Sequence, residues 1–231
     1  MRRKSVRPIR CLLTTTIFAG IVGALQTVSG AQPPASNDII SRAMNTTPDR
    51  ERGRFLYQSE CTSCHGQQAW GIADEEIPAL AGQRELYLVT QLAEFLTQDR
   101  VGSTMHHEVS APGISDPQAI LRGLAAYLSA AQVVRDPGHG DGLSLVKGKH
   151  LFEANCAQCH GKQGQGREDE PVPKLAGQHY TYLLAQLNTF AIGHRHQAES
   201  SVLGFTAGFG PPQREAIADY LSRAEAQPPR N

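Results

Sequence analysis

A short pattern of two cysteines and a histidine occurs twice in this chain, 95 residues apart. The copies are Cys61-Thr62-Ser63-Cys64-His65 and Cys156-Ala157-Gln158-Cys159-His160. The fifth cysteine, Cys11, lies in the N-terminal segment, so none remains for a disulfide framework. The spacing C-x-x-C-H is the attachment pattern of c-type haem.

Haem attachment explains why the residues stand at this spacing. Two thiols, one on each side of a short turn, add to the two porphyrin vinyl groups, and the next histidine becomes an axial ligand of the iron. A zinc site usually places its two C-x-x-C pairs about 15–20 residues apart, and a thioredoxin-like pair needs no histidine. We therefore predict two covalent c-type haems, each with a histidine ligand. The residues are Cys61, Cys64, His65, Cys156, Cys159 and His160.

The repeat extends well beyond the cysteines. Residues 81–95 and 176–190 are identical at eight of fifteen positions. Two copies indicate two homologous domains, because a solenoid needs at least three stacked units.

Each copy predicts three helices around long loops, without an alternating strand pattern. The first helix is expected over residues 48–59 with Thr47 as its N-cap. The second carries Leu88, Leu92 and Phe95 at helical spacing. A unit of about 85 residues with few aromatic side chains has a marginal apolar core, which a haem would complete.

The N-terminus predicts a signal peptide. Five basic residues and no acidic ones occur in residues 1–30, and an apolar run covers residues 11–28 before several small residues. Cleavage near residue 31 is favoured over an uncleaved anchor helix, because the run is short for a membrane span and contains three consecutive threonines. Flexible tails are expected at residues 31–46 and 227–231. The predicted divisions are 1–31 signal peptide, 48–132 domain 1, 133–142 linker and 143–226 domain 2.

The charge balance argues against one class of partner. Residues 31–231 hold 17 basic and 22 acidic residues. A protein that binds nucleic acid normally carries a basic stripe, and none is visible here. We therefore expect no nucleic-acid partner.

Each half of the chain resembles a class I cytochrome c domain, and the pair resembles the diheme periplasmic cytochromes of the cytochrome c4 family. The shared motifs are C-x-x-C-H-G, P-x-L-A-G-Q, a Q-L-x-x-F helix and a closing helix with Y-L-S, over residues 48–225. The resemblance implies an all-α fold of two tandem homologous class I cytochrome c domains, each wrapped around a covalently attached haem.

The resemblance also implies roles for residues around each haem. The carbonyls of Pro78 and Pro173 would accept the second imidazole nitrogen of His65 and His160, which fixes the ring orientation. Gly53 would let the first helix of domain 1 cross the last one closely, and Gly148 would do so in domain 2.

Matched arginines and one further histidine also receive an interpretation. Arg100 and Arg195, again 95 residues apart, pair with haem propionates or lie free on the surface. A structural role is expected for His179.

The two halves of the chain differ in their candidates for the sixth iron ligand. The family uses methionine, and Met105, which lies 40 residues after His65, is the candidate in domain 1. No methionine follows His160. Three alternatives remain for the second iron. His196 or His194 ligates it, with His196 preferred; the site is open to water and small ligands; or a partner supplies the ligand.

Electron transfer is the function that the resemblance implies. The chain would carry electrons between periplasmic or membrane-bound redox partners, such as a terminal oxidase, a reductase or a dehydrogenase, and would reach a membrane surface through them. The alternative is a haem enzyme or a sensor of gases and small ligands that uses an open haem in domain 2, although no acid–base pair can be assigned there.

Overall fold

The structure is a computed structural model that describes residues 35–100, 105, 109, 117–133, 136–195 and 206–225. The predicted signal peptide and His196 lie outside the described residues. Helices α1 to α5 belong to domain 1: α1 Ser36–Met44, α2 Arg50–Leu56, α3 Thr62–His65, α4 Glu85–Leu96 and α5 Pro117–Ser129. Helices α6 to α9 belong to domain 2: α6 Leu145–Asn155, α7 Ala157–His160, α8 Tyr180–Ala191 and α9 Pro211–Arg223.

The described part of the chain is helical, as predicted. Besides the α-helices it holds a π-helical turn, Tyr57–Cys61, and a short 3-10 turn, Ala73–Glu75. The β-structure within it is one isolated bridge between Ile72 and Ile77. No helix in this part is long and apolar enough to cross a membrane.

The first long helix of domain 1 begins later than predicted. The side chain of Asp49 accepts a hydrogen bond from the Arg52 amide at 3.0 Å, so Asp49 is the N-cap and the prediction of Thr47 is wrong. A carboxylate at this position also interacts favourably with the helix dipole. The chain then runs through the π-helical turn directly into α3.

Helix α1 corrects a second expectation, because residues 31–46 were expected to form a flexible tail. In α1, Ile39 and Ala43 are fully or almost fully buried. They join the apolar core that α4 and α5 form in domain 1. Residues 36–44 are therefore part of the folded domain.

The first and last long helices of each domain cross at a glycine. A Cβ atom on Gly53 would lie 2.2 Å from the carbonyl oxygen of Gly123, and one on Gly148 would lie 1.9 Å from that of Ala216. Only glycine allows the two backbones to approach this closely. The predicted roles of Gly53 and Gly148 are confirmed.

Aromatic pairs pack beside these crossings. The ring centroids of Tyr57 and Tyr127 are 5.6 Å apart, and those of Phe152 and Tyr220 are 5.8 Å apart. The two pairs have the same interplanar angle of 43°, so the duplicated sequence produces a duplicated helix pair. The described residues of both domains lie in one compact unit.

Candidate haem-binding sites

Each C-x-x-C-H pattern occupies one short helical turn. Cys61 ends the π-helical turn, while Cys64 and His65 lie on α3. In both domains the first cysteine is half-buried and the second is exposed, and none of these four thiols forms a disulfide. Two thiols and an imidazole therefore lie on a single turn, as thioether attachment requires.

The imidazoles of the two patterns have matching hydrogen bonds. His65 Nδ1 lies 3.1 Å from the carbonyl oxygen of Pro78, and His160 Nδ1 lies 3.1 Å from that of Pro173. A carbonyl only accepts, so each Nδ1 carries the proton and each Nε2 keeps its lone pair for a metal. The geometry is the one that the resemblance implies.

The histidines are also in a suitable protonation state. Burial lowers the pKa of His65 and of His160, and the hydrogen bond to the proline carbonyl opposes this effect only in part. The neutral imidazole is the form that binds a metal. The donor set in each domain thus fits a haem c.

Two glycines that the sequence analysis missed hold the proline carbonyls in place. Gly71 and Gly166 have φ of +71° and +70°, and a Cβ on either would lie about 2.6 Å from the backbone of the proline. Their amides donate to the carbonyls of His65 and His160 at 2.9 Å and 2.8 Å. Their common spacing of 95 residues was the signal that could have found them.

The candidate sixth ligands are described only in part. Met105 is half-buried and packs against the core of domain 1. His194 is exposed just after α8, with its amide bonded to the Thr189 carbonyl at 3.1 Å. His196 lies outside the described residues, so the ligand of the second iron stays a prediction.

Arg100 follows α4 and reaches across to domain 2. Its Nη2 donates to the Tyr182 hydroxyl at 3.2 Å and to Gln186 Oε1 at 3.3 Å. Its guanidinium carbon lies 4.5 Å from the centroid of the Phe95 ring, within the same domain. The side chain is therefore held by both domains.

Arg195 repeats this arrangement in the opposite direction. Its Nη2 donates to the Tyr87 hydroxyl at 3.3 Å and to Gln91 Oε1 in domain 1, while Nη1 donates to Gln186 at 2.7 Å. Its guanidinium carbon lies 4.8 Å from the Phe190 ring centroid. The two arginines thus form one approximately symmetric cluster between the domains.

This cluster carries excess positive charge. In the described part of the chain neither guanidinium lies within ion-pair distance of a carboxylate, although the charge of Glu94 acts on Arg100 from farther away. Burial raises the pKa of Glu94, and the charges of Arg195 and Arg100 oppose this effect only in part. Burial also acts to raise the pKa of Tyr182, but there the two cations prevail and hold the pKa below its ordinary value. Such a site fits the carboxylates of haem propionates, and that pairing stays a prediction.

His179 has the structural role that was expected. It is 2% exposed. Its Nδ1 lies 2.7 Å from the carbonyl oxygen of Pro137 and its Nε2 lies 2.6 Å from that of Trp70. The ring therefore joins domain 2 to the linker and to domain 1, and both nitrogens are engaged by backbone.

Two tandem domains, each with a C-x-x-C-H turn and an oriented imidazole, define a c-type cytochrome with two haems. The family model described as cytochrome c matches residues 50–132 and 145–227, and the chain belongs to this family. The predicted fold class and the two haem c cofactors are confirmed. The chain is a diheme cytochrome of the cytochrome c4 type.

Individual proteins support this assignment. The crystal structure of reduced recombinant cytochrome c4 from Pseudomonas stutzeri matches with a TM-score of 0.64 and 27% identity, over 78% of this chain and 100% of that one. The thiosulfate dehydrogenase electron acceptor of Stutzerimonas stutzeri (strain A1501) is 32% identical over 171 residues, 70% of this chain and 77% of that protein. Cytochrome c-552 of Acidithiobacillus ferridurans is 30% identical over 152 residues, 61% of this chain and 64% of that relative.

Proposed function

We propose that the chain carries electrons between redox proteins outside the cytoplasm. The observation that supports this function most directly is the duplicated turn, in which His65 and His160 make the same 3.1 Å hydrogen bond to a proline carbonyl. When bound, each haem iron alternates between Fe(II) and Fe(III) without bond formation on a substrate. Intact mass spectrometry of the purified protein should show two added haems, and a single haem or none would contradict the proposal.

The residues of domain 1 take distinct roles in this proposal. Cys61 and Cys64 hold the macrocycle covalently, and His65 supplies the proximal nitrogen, which the Pro78 carbonyl orients. Met105 would supply a second protein ligand to this iron and would compete with small molecules for it.

Domain 2 has the same attachment cysteines and oriented histidine as domain 1. Cys156 and Cys159 attach the second haem, and His160 binds its iron in the orientation that Pro173 gives it. Arg100 and Arg195 neutralise propionates at the interface. The two sites thus differ mainly in the residue that would provide the second iron ligand, Met105 in domain 1 and His196 or His194 in domain 2.

A haem enzyme or a ligand sensor is the second candidate function. The observation that favours it is the absence of a methionine anywhere after His160 in the sequence. Titration of the dithionite-reduced protein with CO, followed in the Soret band, separates the two. Binding to neither haem means that both irons have strong protein ligands, from His196 or His194 in domain 2, and supports the carrier. Binding to half of the haem identifies an open site and supports the second function.

The partners follow the same reasoning. One relative is named as the electron acceptor of thiosulfate dehydrogenase, and we infer that a dehydrogenase of this kind delivers electrons to the present chain. Reduction in a stopped-flow mixture with a reduced donor dehydrogenase should be fast and should slow as salt is added, because exposed charges steer such encounters. Reduction no faster than with free dithiothreitol would contradict this.

Export completes the proposal. Haem attachment to C-x-x-C-H and the basic and apolar character of residues 1–30 both support a periplasmic protein released from its signal peptide. The mature protein should begin near residue 31 or 32. A mature protein that begins at Met1 would instead indicate an uncleaved anchor.

A further inference from the structure

One peptide group in each domain connects the haem histidine to the opposite domain. In domain 1 this group joins Pro78 to Ala79. Its carbonyl accepts from His65 Nδ1 at 3.1 Å, and its N–H donates to Gln178 Oε1 of domain 2 at 2.9 Å. The two hydrogen bonds are therefore in series through a single amide.

The equivalent peptide group of domain 2 joins Pro173 to Lys174. Its carbonyl accepts from His160 Nδ1 at 3.1 Å, and its N–H donates to Gln83 Oε1 of domain 1 at 2.7 Å. We call each series of two hydrogen bonds a relay. Gln178 of domain 2 thus connects to His65 of domain 1, and Gln83 of domain 1 connects to His160 of domain 2.

Both glutamines are held firmly. Gln83 and Gln178 are 6% and 7% exposed. Gln83 Nε2 donates to the Lys174 carbonyl at 2.9 Å, and Gln178 Nε2 donates to the Ala79 carbonyl at 2.8 Å. Each amide thus forms a two-point contact with one residue across the interface.

The same side-chain oxygens also accept a local amide. The Arg84 N–H donates to Gln83 Oε1 at 2.8 Å, and the His179 N–H donates to Gln178 Oε1 at 3.0 Å. Since every polar atom of these buried amides has a partner, the rotamers are fixed and the relays have one geometry.

We propose that Gln178 and Gln83 are positioning residues that tune the haem of the opposite domain through the Pro78–Ala79 and Pro173–Lys174 peptide groups. This inference rests on His65 and His160 being the axial ligands of the proposed function.

The physical basis is the polarisation of one hydrogen bond by the next. An amide whose N–H donates to a buried acceptor has a more negative carbonyl oxygen, and chains of such bonds strengthen one another. A stronger bond from the histidine Nδ1–H makes the ring a more basic ligand. A more basic ligand stabilises Fe(III) over Fe(II), so each glutamine lowers the reduction potential of the opposite haem.

Paired substitutions test the crossed arrangement. In Gln178→Ala, the midpoint potential of the haem in domain 1 should rise while that of the domain 2 haem stays the same, and Gln83→Ala should give the reverse. Spectroelectrochemical titration measures both potentials. Met105→Ala, which alters the domain 1 haem only, identifies which potential belongs to which haem.

Thr181→Val provides the matched control. The Thr181 hydroxyl donates to the Ala73 carbonyl of the other domain, and neither residue belongs to a proline peptide group of the relays. This variant loses an interdomain hydrogen bond and should leave both potentials unchanged.

A second readout reports on the histidines themselves. The NMR resonance of the His65 Nδ1 proton should move in Gln178→Ala, and that of His160 should not. The relay would be overturned if the midpoint potentials of both haems shifted equally in either glutamine variant. It would also be overturned if neither potential shifted in a variant that still holds two haems. Loss of haem attachment in the wild-type protein would instead overturn the proposed function.

Discussion

Replacement of Lys174 by methionine should stabilise the protein at neutral pH. Lys174 is 8% exposed and lies in the contact between the domains, beside a cavity of about 10 Å³ that admits no more than one water. A Cβ on Gly82 would be only 3.3 Å from its Nζ. In the described part of the chain no carboxylate pairs with this ammonium, so no opposite charge offsets the cost of its burial.

The size of the effect follows from the pKa of this group. Burial, and in second place the charge of Arg84, lowers the pKa of Lys174 from 10.5 to about 8. Since one pKa unit corresponds to about 1.4 kcal/mol, the protonated side chain costs about 3 kcal/mol of folding free energy. Between pH 8 and 10.5 the unfolded chain binds the proton and the folded one does not. Wild-type stability therefore rises with pH across this window.

Denaturant unfolding followed by far-UV circular dichroism measures this difference. At pH 7 the Lys174→Met variant should be more stable than wild type by about 3 kcal/mol, and the advantage should disappear as the pH approaches 10.5. Lys147→Met, which removes an exposed ammonium from α6, reports the effect of lysine deletion alone. An advantage of Lys174→Met that is the same at every pH would refute the reasoning.

Three further substitutions test other parts of the structure. Gly148→Ala places a methyl group 1.9 Å from the Ala216 carbonyl and should lower the melting temperature markedly, at a cost of about 1–3 kcal/mol or more, whereas an unchanged melting curve would contradict the close crossing. Asp219→Asn should cost about 1–3 kcal/mol in chemical denaturation, because the Asp219 carboxylate accepts hydrogen bonds from Arg223 and from two amides of the linker. Burial acts to raise the pKa of Asp219, but these partners keep it below 3.8. The stabilisation is therefore present above pH 3.8 and lost on further acidification, and this pH dependence should be missing from the variant. Met105→Ala should abolish the methionine–iron absorption of one haem and leave the other spectrum intact, and retention of that band would exclude Met105 as the ligand.

The outcome for the helices shows where sequence patterns suffice. Helices α4 and α8 were predicted because Leu88 and Leu92, and their counterparts Leu183 and Leu187, recur at helical spacing. In the structure Leu88, Leu92 and Leu183 are buried, and Leu187 is partly buried against the core of domain 2. Helix α1 was missed because its buried face consists of little more than Ile39 and Ala43, and these are buried only by contact with α4 and α5. A helix of nine residues is marginal in isolation, so its formation depends on these contacts with the rest of the domain.

The interface between the domains shows where sequence patterns fail. The 95-residue spacing matched Arg100 with Arg195 and placed Gln83 and Gln178 in a shared motif. It did not show that each arginine bonds to a tyrosine of the other domain, or that each glutamine holds the residue after the other domain's proline. Such partners are far apart in sequence, and nothing local specifies them.

The sequence by itself determined the haem chemistry, the duplication and the helical class of this protein. Attachment needs two thiols and a histidine within five residues, and that requirement is met locally, whatever the rest of the chain does. Tertiary structure alone decided that the two copies pack so that each reaches the haem histidine of the other through one peptide group. The physical reason is that a hydrogen bond between domains depends on their relative placement, which is set by the whole buried interface rather than by any one motif.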